Sequence, residues 1–304
     1  MNNRYFKIFA LLFLFSCTED YTLEFEQGTT PLVIEANLDN LNREQSIRLT
    51  RLSRTVGGNT TAGSSASRTV PVEGAVVKVT EKGGSREWVF TKKTQLNKFN
   101  GYYANAEFRA VVGKTYTLSV TVEGKVYTAS SSVPAVPVID GITVKKRVSE
   151  RPGKDNKYVP YISFNNAPGK DFYLLESYEV PTIEEEASDH NRVRQSNNRR
   201  WAYSVLSDKF LSSRVSSLLV DDGQTPNGQE FFPGSPGGTV RVYLSSLTQG
   251  AYSFYEALIE QFNNDGGVLS PTPASAPTNL SNGAIGFFRL SAVSYRDVEI
   301  PSED

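Results

Sequence analysis

The stretch KTYTLSVTVEGKVYTAS (114–130) constrains the fold of this chain more than any other. Tyr116, Leu118, Val120 and Val122 occupy every second position with Thr and Ser between them, and Val126 and Tyr127 follow Glu123-Gly124. A period of two places one set of side chains on a single face of a strand; on a helix the same residues would scatter around the axis. Glu123-Gly124 supplies a turn, because glycine takes positive φ at little cost. The stretch therefore predicts a hairpin whose apolar face must be covered by other strands.

Those strands are present on both sides. PLVIEANL (31–38) is a compact apolar run, and SIRLTRL (46–52) carries Ile47, Leu49 and Leu52. Val76, Val77 and Val79 follow a small turn at Glu73-Gly74, and Glu87 to Thr91 place Trp88 and Phe90 on one face. About seven strands in so short a span predict an immunoglobulin-like or transthyretin-like β-sandwich over 31–138. GGNTTAGSSASRT (57–69) reads as a long loop within it. VPAVPVIDG (133–141), with two prolines, marks a domain boundary. Beyond it YVPYISF (158–164), DFYLLESYEV (171–180), WAYSVL (201–206), TVRVYL (239–244), GAIGFFRL (283–290) and AVSYRDVEI (292–300) are again strand-like. Between the last three the period changes. Leu247, Ala251, Phe254, Leu258 and Phe262 recur at intervals of three and four, which predicts one long helix over 247–262. Ser246 and Gln249 stand in capping-box positions, and Asp265-Gly266-Gly267 offers a stop. The expectation is a mainly β protein: an N-terminal sandwich, then a second antiparallel β-rich domain over 139–304 that carries the helix.

The N-terminus has a different character. Arg4 and Lys7 precede an eight-residue apolar run, Ile8 to Phe15. At 1.5 Å per residue such a run is too short for a bilayer core of about 30 Å, but it suits the hydrophobic region of a signal peptide. It ends in Leu14-Phe15-Ser16-Cys17, which resembles the lipobox of bacterial lipoproteins. That resemblance implies removal of residues 1–16, attachment of lipid to the Cys17 sulfur, and a lipidated tether over 17–30. Several acyl chains, at about 0.8 kcal/mol per buried methylene, give stable anchoring where one chain is marginal. Thr18-Glu19-Asp20-Tyr21 is similar to the acidic stretch that directs Bacteroidota lipoproteins to the outer face of the outer membrane, with Glu19 and Asp20 as its acidic members. Removal of 1–16 takes away Arg4 and Lys7 and no acid, leaving 30 basic and 33 acidic side chains, a net of −3. A near-balanced charge argues against nucleic acid as a partner.

Scarcity limits the chemistry. The 304 residues include one Cys, one His and one Met, namely Cys17, His190 and Met1. An intrachain disulfide, a thiolate zinc cluster and a multi-histidine metal site are excluded. His190 sits in EEEASDHNRVRQSNNRR (184–200) beside Asp189, but the chain has no G-x-S-x-G elbow, and a solvated loop histidine explains the pattern. Glu184-Glu185-Glu186 and Arg192, Arg194, Arg199 and Arg200 form a charge-segregated loop, either a solvated insertion or a docking surface. Asp221-Asp222 on a strand would point to opposite faces, unlike the two carboxylates that flank a glycosidic bond, and with Gly223 they read as a turn. NNDGG (263–267) lacks the acidic ladder of a calcium loop, and GGTVRV (237–242) lacks phosphate-loop spacing. Trp88 and Trp201 suit sugar stacking in principle, but such residues in β-domains mostly belong to cores. No catalytic, cofactor-binding or metal-ligating residue is assigned.

AYSFYEALIEQF, then NLSNGAIGFFRLSAVS (279–294), together with PLVIEANL, VEGAVVKVTE (72–81) and VVGKTYTLSVTVEGKVYTASSSVPAVPVIDGI (111–142), form an ordered set. It resembles a Bacteroidota outer-membrane lipoprotein family known as domain of unknown function 4249. VEGAVVKVTE is also similar to the regulatory β-sandwich found beside carboxypeptidases, a module without catalytic groups. The family resemblance implies a lipoprotein held at the outer membrane, often encoded near TonB-dependent receptors, and it supplies no catalytic residues to carry across. The expected function is a non-enzymatic accessory subunit, membrane-bound through acyl chains on Cys17 and partnered by an outer-membrane β-barrel such as a TonB-dependent transporter. The alternatives are a glycan- or peptide-binding adhesion module and a hydrolase using acidic residues.

Overall fold

The structure is a computed structural model, and it describes residues 30–53, 68–93, 101–147, 157–180, 203–220, 237–263 and 275–302. Residues 31–304 form one compact unit. The expected signal peptide over 1–16, Cys17 with residues 18–29 of the expected tether, Glu19 and Asp20 among them, the 184–200 segment with His190, Trp201 and Asp221-Asp222 lie outside the described residues.

The chain is mainly β. Its strands are β1 (Leu32–Asp39), β2 (Gln45–Ser53), β3 (Arg68–Pro71), β4 (Val76–Glu81), β5 (Glu87–Lys92), β6 (Tyr102–Asn105), β7 (Thr115–Val122) and β8 (Lys125–Ser132). Then follow β9 (Ile139–Arg147), β10 (Lys157–Asn165), β11 (Phe172–Val180), β12 (Tyr203–Ser207), β13 (Arg214–Leu219) and β14 (Thr239–Leu247). The helix α1 (Gln249–Asn263) precedes β15 (Ile285–Ser291) and β16 (Val293–Glu299). The 114–130 segment is the expected hairpin. Tyr116, Leu118, Val120 and Val122 are all buried, and the turn residues Glu123 and Gly124 have φ of 51° and 80°. Two successive positive φ values match the right-handed twist of the paired strands.

A nine-stranded sheet runs in the order β15-β1-β2-β6-β5-β4-β7-β8, with β3 paired to β2. The sheet is nearly closed. Leu32, Ile34 and Leu290 from one end of this path and Tyr127 and Ala129 from the other lie in a single apolar cluster with Trp88, Phe90, Phe108 and Tyr116. Each large side chain so buried is worth about 1.5–3 kcal/mol. β1 and β15 pair in parallel from Val33↔Ile285 to Asp39↔Ser291, so a strand late in the sequence completes a sheet begun at residue 32. Gly286 permits it: its φ is 106°, and a Cβ there would lie 2.2 Å from the Ile34 carbonyl oxygen.

Two smaller sheets, β13-β10-β9 and β12-β11-β14-β16, face each other across a second core built on Ile162, Phe164, Tyr173, Leu175, Val242 and Leu244. Pro160 is tolerated in the middle strand β10 because its carbonyl, and so its missing N–H, faces the β13 side, where Val220 N donates to that carbonyl at 3.1 Å. Strands β3, β6, β9 and β13 have little sequence signal, being short or rich in polar residues. Arg68 and Thr69, expected in a loop, begin β3.

The helix begins two residues later than its apolar period suggests, because Leu247 ends β14. Thr248 caps it, its Oγ1 accepting from Ala251 N at 3.2 Å. The expected cap, Ser246, is in the strand and fully buried. Its Oγ donates to Pro134 O at 2.8 Å and accepts from Ala292 N at 2.9 Å.

Candidate functional site

A sheet that nearly closes leaves two edges to satisfy, and here the outer edge of β8 lies beside β15. Its backbone groups alternate: Val133 N bonds Lys114 O, on the β7 side, at 3.0 Å. Thr128 N and O instead face outward, to Ser281 Oγ at 2.8 Å and Ser281 N at 2.9 Å. Even-numbered residues of β8 therefore present N–H and C=O to the outer edge.

Residues 278–282 run along that edge as a seam. Asn282 Nδ2 donates to Val126 O at 2.6 Å, Ser281 clasps Thr128, and Asn279 Nδ2 donates to Ser130 O at 3.3 Å. The same Asn279 amide bonds Phe288 of β15 in both directions, accepting from its N and donating to its O, each at 2.9 Å. One side-chain amide thus takes the place of a peptide group between the two ends of the sheet. Asn-x-Ser-Asn at 279–282 gives this segment three short polar side chains that bond backbone readily, which is the signal by which sequence reading could have found it.

The seam stops at Ser130. Beyond it a groove of about 350 Å³ opens, lined by Thr115, Ser130, Ser132, Thr248, Asn279 and Phe287 among others. Ser132 N and O face it by the alternation just described, and the next outward carbonyl, Pro134 O, is taken by Ser246. Among the described residues, the bond found to these two groups is a weak one, Ser131 Oγ to Ser132 O at 3.4 Å. Among the described residues no charged side chain lines the groove. Phe287 is 6% exposed and packs on Phe254, ring centroids 5.2 Å apart, so its face is not free for a sugar ring.

A second constellation lies on the β12-β11-β14-β16 sheet. Tyr178 meets Tyr243 edge-on and Tyr243 lies tilted against Tyr295, with centroids 5.6 Å apart at both steps. Arg241 lies over Tyr295 at 4.9 Å and bonds Asp297 through both Nε (2.6 Å) and Nη2 (2.7 Å). The hydrogen bond to Asp297 raises the Arg241 pKa further above its ordinary value, so the group stays charged. This is a cross-strand ladder on β14 and β16, where Arg241 pairs directly with Asp297.

Of the residues weighed for chemistry, Trp88 is placed in the first core, edge-on to Phe108 at 5.1 Å, with Arg86 over its ring at 4.7 Å. GGTVRV leads into β14, with Gly237 N bonded to Ile300 O. Among the described residues no three His, Cys, Asp or Glu side chains gather as a metal site, and no helix is long and apolar enough to cross a membrane. A family model described as "Domain of unknown function (DUF4249)" matches residues 18–297. No curated protein matches the chain.

Proposed function

The chain belongs to the DUF4249 family, and from that premise we propose that it is a non-enzymatic lipoprotein, anchored through Cys17 at the outer membrane and facing the cell exterior. There it serves as an accessory subunit of an outer-membrane β-barrel complex such as a TonB-dependent transporter. The observation that carries this reading is the position of Cys17. It is the chain's one cysteine, it follows the apolar run 8–15 directly, and the compact β unit starts at Pro31. A thiol at that point is a nucleophile available to a lipid donor. Glu19 and Asp20 support export to the outer face. The groove supports a holding role over a chemical one. Its hydroxyls, its single amide and its aromatic edge do not titrate near neutral pH, so they bond a ligand without moving its protons.

Replacing Cys17 with Ala is expected to abolish metabolic labelling with an alkyne fatty acid and to release the protein from membranes; unchanged labelling would remove the anchor from the proposal. The partner is tested by gentle detergent extraction and affinity purification of the wild-type chain. A β-barrel protein in stoichiometric amount is expected, and elution of the chain alone would refute the accessory role.

A further inference from the structure

We propose that Asp171 and Asp208, side by side at the end of the β11–β12 pair, hold a calcium ion, with Asn166 as a neutral third ligand. The site lies away from the groove and does not depend on the accessory role.

Strand pairing puts the two acids together. Phe172 of β11 stands opposite Ser207 of β12, so the next pair along the ladder is Asp171 and Asp208. The ladder reaches that far, because Asp208 N donates to Asp171 O at 3.0 Å. Side chains on directly opposed residues start about 4.5–5.5 Å apart at Cβ, and like charges there repel. Asp171 is two residues before Tyr173 on β11, on the side that lines the second core. Burial, and then Asp171 and Asp208, push the Tyr173 pKa up, so both carboxylates lie within Coulomb range of that hydroxyl. The same hydroxyl donates to Asn166 Oδ1 at 3.0 Å, which brings a neutral oxygen to the group. The turn Asn166-Ala167-Pro168-Gly169 leads back from β10 and lies close over Asp171: a Cβ on Gly169 would stand 3.0 Å from Asp171 Oδ2.

What the pair lacks is a positive partner. Asp208 is 9% exposed, yet among the described residues neither a hydrogen-bond donor nor a cation meets its carboxylate, and the same holds for Asp171. Asp39 shows how this fold satisfies a buried aspartate from its own side chains. Its carboxylate is met by the Arg43 guanidinium, by Gln45 Nε2 at 3.0 Å and by Leu41 N at 3.0 Å. Nothing of that kind surrounds Asp208. A cation between the two carboxylates removes their repulsion and replaces the hydration that burial takes from them. The donors are all oxygen, which suits a hard ion and not a thiolate- or imidazole-seeking one. Calcium takes about six to eight oxygens in irregular geometry, whereas magnesium requires a near-ideal octahedron. The carboxylates and Asn166 Oδ1 leave positions for water, and with only two charged ligands the affinity belongs in the weak range, Kd about 10⁻⁴–10⁻³ M.

The test is a titration of calcium chloride, and separately of magnesium chloride, into the chelator-treated full chain. Binding is read by isothermal titration calorimetry and stability by thermal unfolding. Calcium in excess of Kd is expected to raise Tm by about 3 °C, and magnesium to raise it far less. Asp208→Asn and Asp171→Asn keep the side-chain shape and remove one charge each. In calcium-free buffer either substitution relieves the repulsion and is expected to raise Tm; in both variants calcium is expected to bind about tenfold more weakly or worse and to add little further. That reversal, with each variant stabilised without the ion and deprived of the gain with it, separates a metal site from a pair of acids that is only structural. A wild-type chain that takes up no calcium and keeps its Tm would overturn the proposal. So would an undiminished calcium response in Asp208→Asn, which would place the ion elsewhere on the chain. An equal response to magnesium would overturn the choice of calcium.

Discussion

Asn279 shows how much one side chain can carry in a sheet that does not quite close. Its amide meets Phe288 N, Phe288 O and Ser130 O, three backbone groups that no strand reaches. Asn279→Ala leaves them unmet and is expected to cost about 1–3 kcal/mol by urea denaturation. Asn279→Asp should cost more, because a carboxylate oxygen would replace the donor between two carbonyl oxygens. Asp171 is a residue working in the opposite sense. Burial, and then the neighbouring Asp208 carboxylate, push its pKa up. The folded state therefore binds the proton more tightly than the unfolded chain does. This group subtracts stability once pH rises through the unfolded value of about 3.9, and it costs nothing below that. Asp171→Asn is accordingly expected to raise Tm at pH 7 and to leave it unchanged near pH 3, as read by calorimetry. Neither role is legible in the residue types alone, since each depends on what the fold brings within hydrogen-bond or Coulomb range.

At the scale of elements, the strongest periodic signals give the right type of structure, and the weakest fail for a physical reason. The β7–β8 hairpin and β1 are legible because one face is buried along the whole strand. β3 and β6 have four residues each, too few for a period to rise above chance, and they gain their strand geometry from β2, to which both pair. The helix is legible by period, but its start is not. Ser246 and Thr248 are both plausible caps by residue type, and only the pairing of β14 with β11 and β16, which extends the strand through Ser245 to Leu247, decides between them. Thr248→Ala is expected to destabilise the protein by about 1 kcal/mol through loss of the bond to Ala251 N. Circular dichroism during thermal unfolding should show the fall without a change in native helix content.

At the scale of the molecule, the sheet joins strands that are more than two hundred residues apart in sequence, β1 and β15, and a single glycine allows it. Gly286→Ala would push a methyl into the Ile34 carbonyl from a left-handed backbone. It is expected to cost about 3 kcal/mol or more, read as a drop in the denaturant midpoint together with faster hydrogen exchange in β1 and β15. The long sequence separation also makes this pairing costly in loop-closure entropy, so it is fixed by side-chain burial on both strands and not by local preference. Taken alone, the sequence determined the β class, the hairpin and the helix, because burial of one face imprints a period on the residues that form it. It also determined the lipobox-like terminus and the family, because both are read from residue order. The tertiary structure alone decided that 285–291 lies beside 32–39, that the Asn279 amide bridges the ends of the sheet, and that Ser132 faces a groove. Those facts concern backbone groups, which every residue carries alike, and whether a backbone group has a partner depends on what the fold places next to it.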